Sequence, residues 1–216
     1  RLQLTDNKIS QVRISQMPSI QTTIEINPKS IFNIEVAGIY NIGVRVSGGG
    51  LLDYSMLSNN TTSLTGQYEI QSGTSELKIT GWPKKNFTIT SGSNLQWNGN
   101  VNDPTLNLEA TTRVKGAYLN PVDNKNRNVD FIVSMKLMNR LSQLKIQFDV
   151  NSPDQYISTV LNSLSDDEMM KQAVNLLLFE SIQLPGIESS SNYLTTQMDN
   201  FWESQLNAMT KTSIKN

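Results

Sequence analysis

From Leu106 onward, apolar and polar side chains take turns with almost no interruption. Leu106, Leu108, Ala110, Thr112, Val114, Gly116 and Tyr118 occupy the even positions, with Asn107, Glu109, Thr111, Arg113, Lys115 and Ala117 between them. Alternation with period two puts one set on each face of a strand. At about 3.3 Å per residue this strand spans roughly 45 Å, more than twice the length of a usual strand of about five or six residues. Shorter runs of the same kind fill most of the region from Thr22 to Val150. They include Ile24 and Ile26, then Ile42, Val44 and Val46, then Leu52, Tyr54 and Met56, then Tyr68 and Ile70. Leu77 and Ile79, Phe87 and Ile89, and Leu95 and Trp97 continue the series, followed by Val129 to Met135 and Leu144, Ile146, Phe148 and Val150. Leu2, Leu4, Val12 and Ile14 alternate more weakly, as an edge strand or a lead-in.

Turn chemistry separates these runs: Ser58-Asn59-Asn60, Ser72-Gly73, Gly81-Trp82-Pro83, Ser91-Gly92, Asn100 to Pro104 and Asn120 to Asn128. Gly, Asn, Asp and Pro reverse a chain at low cost. The pattern predicts a meander of antiparallel strands with one apolar face. Gly48-Gly49-Gly50 reads as a sharp bend between two of them. Beyond Val150 the period changes to that of a helix. Ser152-Pro153-Asp154-Gln155 predicts an N-cap serine followed by proline at the first helical position. Tyr156, Ile157, Val160, Leu161 and Leu164 then share a face. Ser165-Asp166-Asp167-Glu168 predicts a capping box opening a second helix, with Met169, Ala173, Val174, Leu177 and Leu178 on its apolar side and Pro185-Gly186 at its end. A third helix is predicted from about Ser191 to Thr210, with a stripe of Leu194, Met198, Phe201, Trp202, Leu206 and Met209. The division that follows is a β unit over 1–150 and a helical segment over 151–216 that packs on or caps it.

Composition narrows the chemistry. The chain has no histidine and no cysteine, which removes the commonest general base, thiol chemistry and disulfides. Its formal net charge is −1 and no basic stripe is present, which argues against nucleic acid. No run of 18 apolar residues offers a membrane-spanning helix. There is no G-x-S-x-G elbow, and the glycine run lacks the Lys-Ser/Thr of a P-loop. Asp166, Asp167 and Glu168 fit the first turn of a helix better than a cation site. Glu109 and Asp149 lie on polar strand faces with no motif around them. No catalytic residue, metal ligand or cofactor is expected, and the chain reads as a non-enzyme.

The remaining signal is the apolar face. In one reading its rings fill an ordinary β-sandwich core. In the other, the strands are too long for a small sandwich and the face lines a groove. The stripe at Phe201 and Trp202 packs over the sheet, or plugs the groove's mouth, or docks on a partner or membrane surface. On pattern alone, an extracellular carbohydrate-binding or adhesin module also fits.

The order of motifs carries a family resemblance. Gly92-Ser93 is followed by Leu95, Trp97 and Gly99, then by the Asp103-Pro104 turn, then by Leu106, Leu108, Ala110 and Arg113. Upstream stand GGGLLDYSM, LTGQYEIQSGTSELKITG and KKNFTITSGS; downstream stand LKIQFDVNSP and LSDDEMMKQAVNLLLFE. Over roughly Ile24 to Phe179 this resembles the C-terminal domain of TamB, an AsmA-like envelope family of Gram-negative bacteria. The family also has further strands after the helices, an N-terminal membrane anchor and long upstream repeats, so this chain reads as a piece of a longer protein.

The resemblance implies a mainly β fold: a long antiparallel sheet curved into a U-shaped, taco-like section around a hydrophobic groove, followed by two or three helices. It implies a periplasmic location, with the full-length protein anchored in the inner membrane and spanning toward the outer one. The implied function is a bridge-like conduit carrying phospholipid toward the outer membrane. The alternative is an assembly factor for outer-membrane β-barrels, working with a BamA-like barrel protein. The expected lipid-groove residues are Leu52, Tyr54, Tyr68, Ile70, Phe87, Ile89, Leu95, Trp97, Leu106, Leu108, Val114, Tyr118, Val133, Leu144, Ile146 and Phe148. Leu194, Met198, Phe201 and Trp202 are expected on the partner or capping helix. Phospholipid acyl chains, the barrel protein and the rest of its own long groove are the expected partners.

Overall fold

A computed structural model describes residues 18–37, 41–120, 123, 125–183, 196–197 and 199–204. The chain is mainly β. Among the described residues eight strands form one antiparallel sheet: β1 Ile20–Val36, β2 Asn41–Met56, β3 Thr62–Lys78, β4 Lys85–Ile89, β5 Asn94–Gly99, β6 Thr105–Asn120, β7 Lys125–Arg140 and β8 Lys145–Asn151. Their spatial order is β1-β2-β3-β4-β6-β7-β8. The short β5 lies beside β4, and the two share the gap between β3 and β6: β4 pairs with Thr74–Leu77 and β5 with Leu64–Glu69. Two helices follow, α1 Gln155–Leu161 and α2 Asp166–Phe179, and residues 196–197 and 199–204 are also helical.

The long alternating strand is present as β6. It pairs with β7 in unbroken register from Thr105↔Arg140 to Asn120↔Lys125. Residues Lys125 to Asn128, read above as part of a turn, extend β7 instead. Pairing along a ladder outweighs the weak strand preference of asparagine. Ser72-Gly73 is likewise no turn. It lies inside β3, and Gly48-Gly49-Gly50 lies inside β2. The glycines mark a crowded crossing rather than a chain bend. A Cβ on Gly48 would sit 1.9 Å from the Glu69 carbonyl oxygen, and one on Gly50 2.0 Å from that of Gln67. Both neighbouring strands bulge here. β1 inserts extra residues between Ile26 and Ser30, and β3 inserts Gln71 opposite Ser47 and Gly48. Bulges bend a strand and raise its twist.

The sheet is concave on its apolar side. Strands lie about 4.8 Å apart, so β1 and β3 are separated by about 10 Å. Yet the Phe32 ring on β1 is 4.7 Å from Tyr68 on β3, edge to face, and 6.2 Å from Trp97 on β5. The rings meet over Gly48 and Gly50 of β2, which carry no side chain, and the inward curve of the face brings them together.

The capping box of α2 is formed as expected: Ser165 Oγ accepts from the Glu168 backbone N–H, and Glu168 accepts from the Ser165 backbone N–H at 2.9 Å. The Ser165 hydroxyl also donates to Glu168 Oε2 at 2.7 Å, and that bond first, then the one from the Ser165 backbone N–H, holds the Glu168 carboxyl below its ordinary range. At α1 the expected cap is wrong. Asp154, not Ser152, is the N-cap, its carboxylate accepting from Tyr156 and Ile157. Ser152 Oγ instead accepts from the Asp154 N–H. The cap moved because Asp154 can satisfy two amide donors at once, which leaves Pro153 outside the helix. Helix α2 ends at Phe179 with Glu180 in the left-handed region (φ 53°), earlier than Pro185-Gly186, which lies outside the described residues. Also outside them are Leu2, Leu4, Val12, Ile14, Leu194, Met198, Leu206 and Met209.

Candidate functional site

The register places the inner face residue by residue. Leu95 pairs with Tyr68 and Leu106, Leu108 with Leu137, Met135 with Ala110 and Phe148, and Val133 with Val150. All sixteen expected groove residues lie along this face or, for Leu144, just ahead of β8. Twelve are buried; Tyr54, Val114, Leu144 and Ile146 are half-buried. On the outer face Arg113 and Lys115 are exposed, but Glu109 is only half-exposed. Its main chain is tied to the turn between β4 and β5: Thr90 N–H and Ser93 Oγ donate to the Glu109 carbonyl, and Glu109 N–H donates to Ser93 Oγ.

Several contributors were missed by the sequence reading of the site. Phe131, Val133 and Met135 are fully buried on β7, yet only Val133 was assigned. Phe32 was also missed, because the β1 bulge interrupts the alternation that would have flagged it. The signal available for Phe131 and Met135 was their own alternation with Asp130, Ser134 and Lys136.

Polar atoms on this face are mostly satisfied. Tyr68 donates to the Ser30 carbonyl at 3.0 Å, and burial pushes its hydroxyl pKa up. The Trp97 indole donates to the Val101 carbonyl at 3.0 Å. Tyr118 donates to Asp154 at 3.1 Å; burial first, then that carboxylate, raises its pKa. Ser75 Oγ, on the inner face between Val44 and Phe87 in register, is buried without a partner. The outer face is wet and salt-bridged, with Glu76 between Lys78 (3.0 Å) and Lys84 (2.6 Å). Lys84 first, then Lys78, lowers the Glu76 pKa. Among the described residues no cluster of acidic side chains could hold a metal ion.

The two ends of the face differ. At the end of β6, α2 lies against it: a Cβ on Gly116 would meet Leu176 Cδ2 at 2.4 Å, so glycine is what lets the helix approach. Ser181 runs beside Ala117, with Ala117 N–H donating to the Glu180 carbonyl at 2.8 Å and Ile182 N–H to that of Ala117 at 3.1 Å. Trp82, Phe179, Phe201 and Trp202 form a ring cluster at this end. At the opposite rim, Ile20 and Ile24 of β1 point to the inner side, paired with Met56 and Leu52, yet each is 43% exposed.

Among the described residues no helix is long and apolar enough to cross a membrane. No curated protein and no solved structure matches the chain. The model of the TamB C-terminal domain matches residues 5–216. With all but its first four residues matched, this chain belongs to the TamB C-terminal domain family, an envelope family of the translocation and assembly module.

Proposed function

We propose that the concave face is a segment of a periplasmic conduit that passes phospholipid acyl chains toward the outer membrane, without catalysing a reaction. The observation that carries this is the continuity of the face. Side chains from β2 to β8 form one apolar surface, and at the β1 rim the same surface reaches water through Ile20 and Ile24. An acyl chain leaving water for such a surface gains about 25 cal/mol per Å² of apolar area, or about 0.8 kcal/mol per CH₂. In this reading the full-length protein is held in the inner membrane and the strands of this chain continue a longer groove.

The test is a photo-crosslinking amino acid placed at Leu108, with a matched one at Lys115 on the wet face, in cells carrying the full-length protein. Diacyl phospholipid adducts at position 108 and none at 115 are expected. Adducts to protein alone at 108 would make the face an ordinary closed core.

A second reading, assembly of outer-membrane β-barrels with a BamA-like partner, is favoured by β1. This 17-residue strand has exposed residues along most of its length, including Ile31 at 51%. An edge strand of that kind can pair with a strand of another chain. A crosslinker at Ile31 that captures a barrel protein while position 108 captures no lipid would favour this reading over the conduit.

A further inference from the structure

Two amides are buried on the otherwise apolar side of α2, Gln172 and Asn175. Both hold chain that returns after the helix. Gln172 Oε1 accepts from the Gln183 backbone N–H at 2.9 Å, and Asn175 Oδ1 accepts from Trp202 Nε1 at 3.2 Å. A buried amide adds little net stability but fixes one arrangement, because a slip leaves it unpaired in an apolar seam.

The rings around this bond come from three places. Trp82 is in the β3–β4 loop, Phe179 is the last residue of α2, and Phe201 and Trp202 lie in the helical segment 199–204. Phe201 is the wedge, 8% exposed, with its ring 6.3 Å from both Trp82 and Phe179 and 5.2 Å from Trp202. Trp82 and Phe179 also meet each other directly, at 4.9 Å. The remaining described residues of the segment, Asp199, Asn200, Glu203 and Ser204, are exposed, and neither acid forms an ion pair among the described residues. Among the described residues, one wedge, one half-buried indole and one hydrogen bond tie 199–204 to the rest of the fold. Helix α2, in contrast, buries seven residues. Units with few buried anchors open locally at far lower cost than a sheet core.

We propose that residues 199–204 form a latch on the helical end of the interior. Its position is set by the Trp202–Asn175 bond, and its release bares the Trp82–Phe179 pair and admits an acyl chain. The nature of what enters rests on the conduit reading; the existence of the latch does not.

The test combines amide hydrogen exchange with uptake of a fluorescent long-chain fatty acid. It uses the full chain and two variants, Trp202→Phe and Phe201→Ala. Trp202→Phe keeps an aromatic ring but removes the N–H donor together with the pyrrole half of the indole, and circular dichroism checks that it folds. In the unaltered chain, amides 199–204 exchange faster than those of β6 and β7. Trp202→Phe should speed that exchange at least about fivefold, the factor given by one lost hydrogen bond, with lost ring packing adding to it, and leave β6 and β7 unchanged. Phe201→Ala should speed it further, and probe uptake should rise in step in both variants. Exchange of 199–204 at the same rate as β6 and β7 in all three proteins overturns the latch. So does faster exchange with no change in uptake, when the unaltered chain takes up the probe. If none of the three binds the probe, the conduit reading fails, and the exchange rates alone decide whether the segment opens as a separate unit.

Discussion

The β6–β7 pair and the β1–β2 pair are built alike and end up in opposite surroundings. Each joins strands of 16 or 17 residues in antiparallel register. On β7 every second residue from Phe131 to Leu137 is at most 1% exposed; on β1 no described residue is buried. The difference is not apolar content, since β1 offers Ile20, Ile24, Ile26, Phe32, Ile34 and Val36 to the inner side. It lies in what stands opposite. β6 and β7 have strands on both flanks and helix α2 across the face, whereas β1 pairs only with β2 among the described strands. Strand length supplies hydrogen bonds; burial is supplied by neighbours.

The comparison breaks most visibly under truncation. Phe131→Ala should cost about 3–5 kcal/mol, from lost transfer energy plus a cavity that close packing cannot refill. Ile24→Ala should cost well under half as much, because Ile24 already meets water. Denaturant unfolding of the two variants measures the gap, and equal losses would mean that β1 is covered in solution. A smaller effect separates two glycines. Gly116→Ala forces a methyl against Leu176 and the Phe131 ring at 2.4 and 2.9 Å and should destabilise by about 1–3 kcal/mol. Gly43→Ala on β2 meets nothing within 4 Å and should be neutral or mildly stabilising by the same measurement.

The smallest effect sharpens the role of the cover itself. The Glu168 pKa is lowered in the folded chain by its bonds to Ser165, so its contribution is present above the ordinary glutamate range. It fades as pH falls through the lowered value. Amide exchange at the start of α2 should therefore quicken on acidification, and Glu168→Gln should remove that pH dependence while keeping much of the cap. A pH response that persists in Glu168→Gln would assign it to another group.

Much of this was readable in advance because alternation is a local signal. Leu106 to Tyr118 announced β6, and Ser165 with Glu168 announced the start of α2. What could not be read depended on pairing across the sheet. Ser72-Gly73 and Asn126 to Asn128 carry turn residues but sit in ladders, where partners already in place hold them extended. Phe32 looked irregular because extra residues in β1 precede it. The cap of α1 went to Asp154, whose carboxylate also receives the Tyr118 hydroxyl from a strand more than thirty residues earlier. The inner face was legible at most of its positions, though not at Phe32, Phe131 or Met135, and its two unlike ends were not legible. The glycine at 116 that admits α2, and the solvent that reaches Ile24, are properties of the assembled sheet.

A sheet of this kind has a reading frame, and Gln71 is a frameshift in it. Before that residue the even positions of β3 point inward, as Tyr68 and Ile70 do; after it the odd positions do, as Ser75 and Leu77 do. The inserted residue, exposed and unremarkable in chemistry, decides which half of the following segment is oil and which is salt. Deleting it would ask Glu76 to enter the interior and Leu77 to leave it. What matters at position 71 is therefore that a residue stands there, more than which one, because its removal would build a different inner wall.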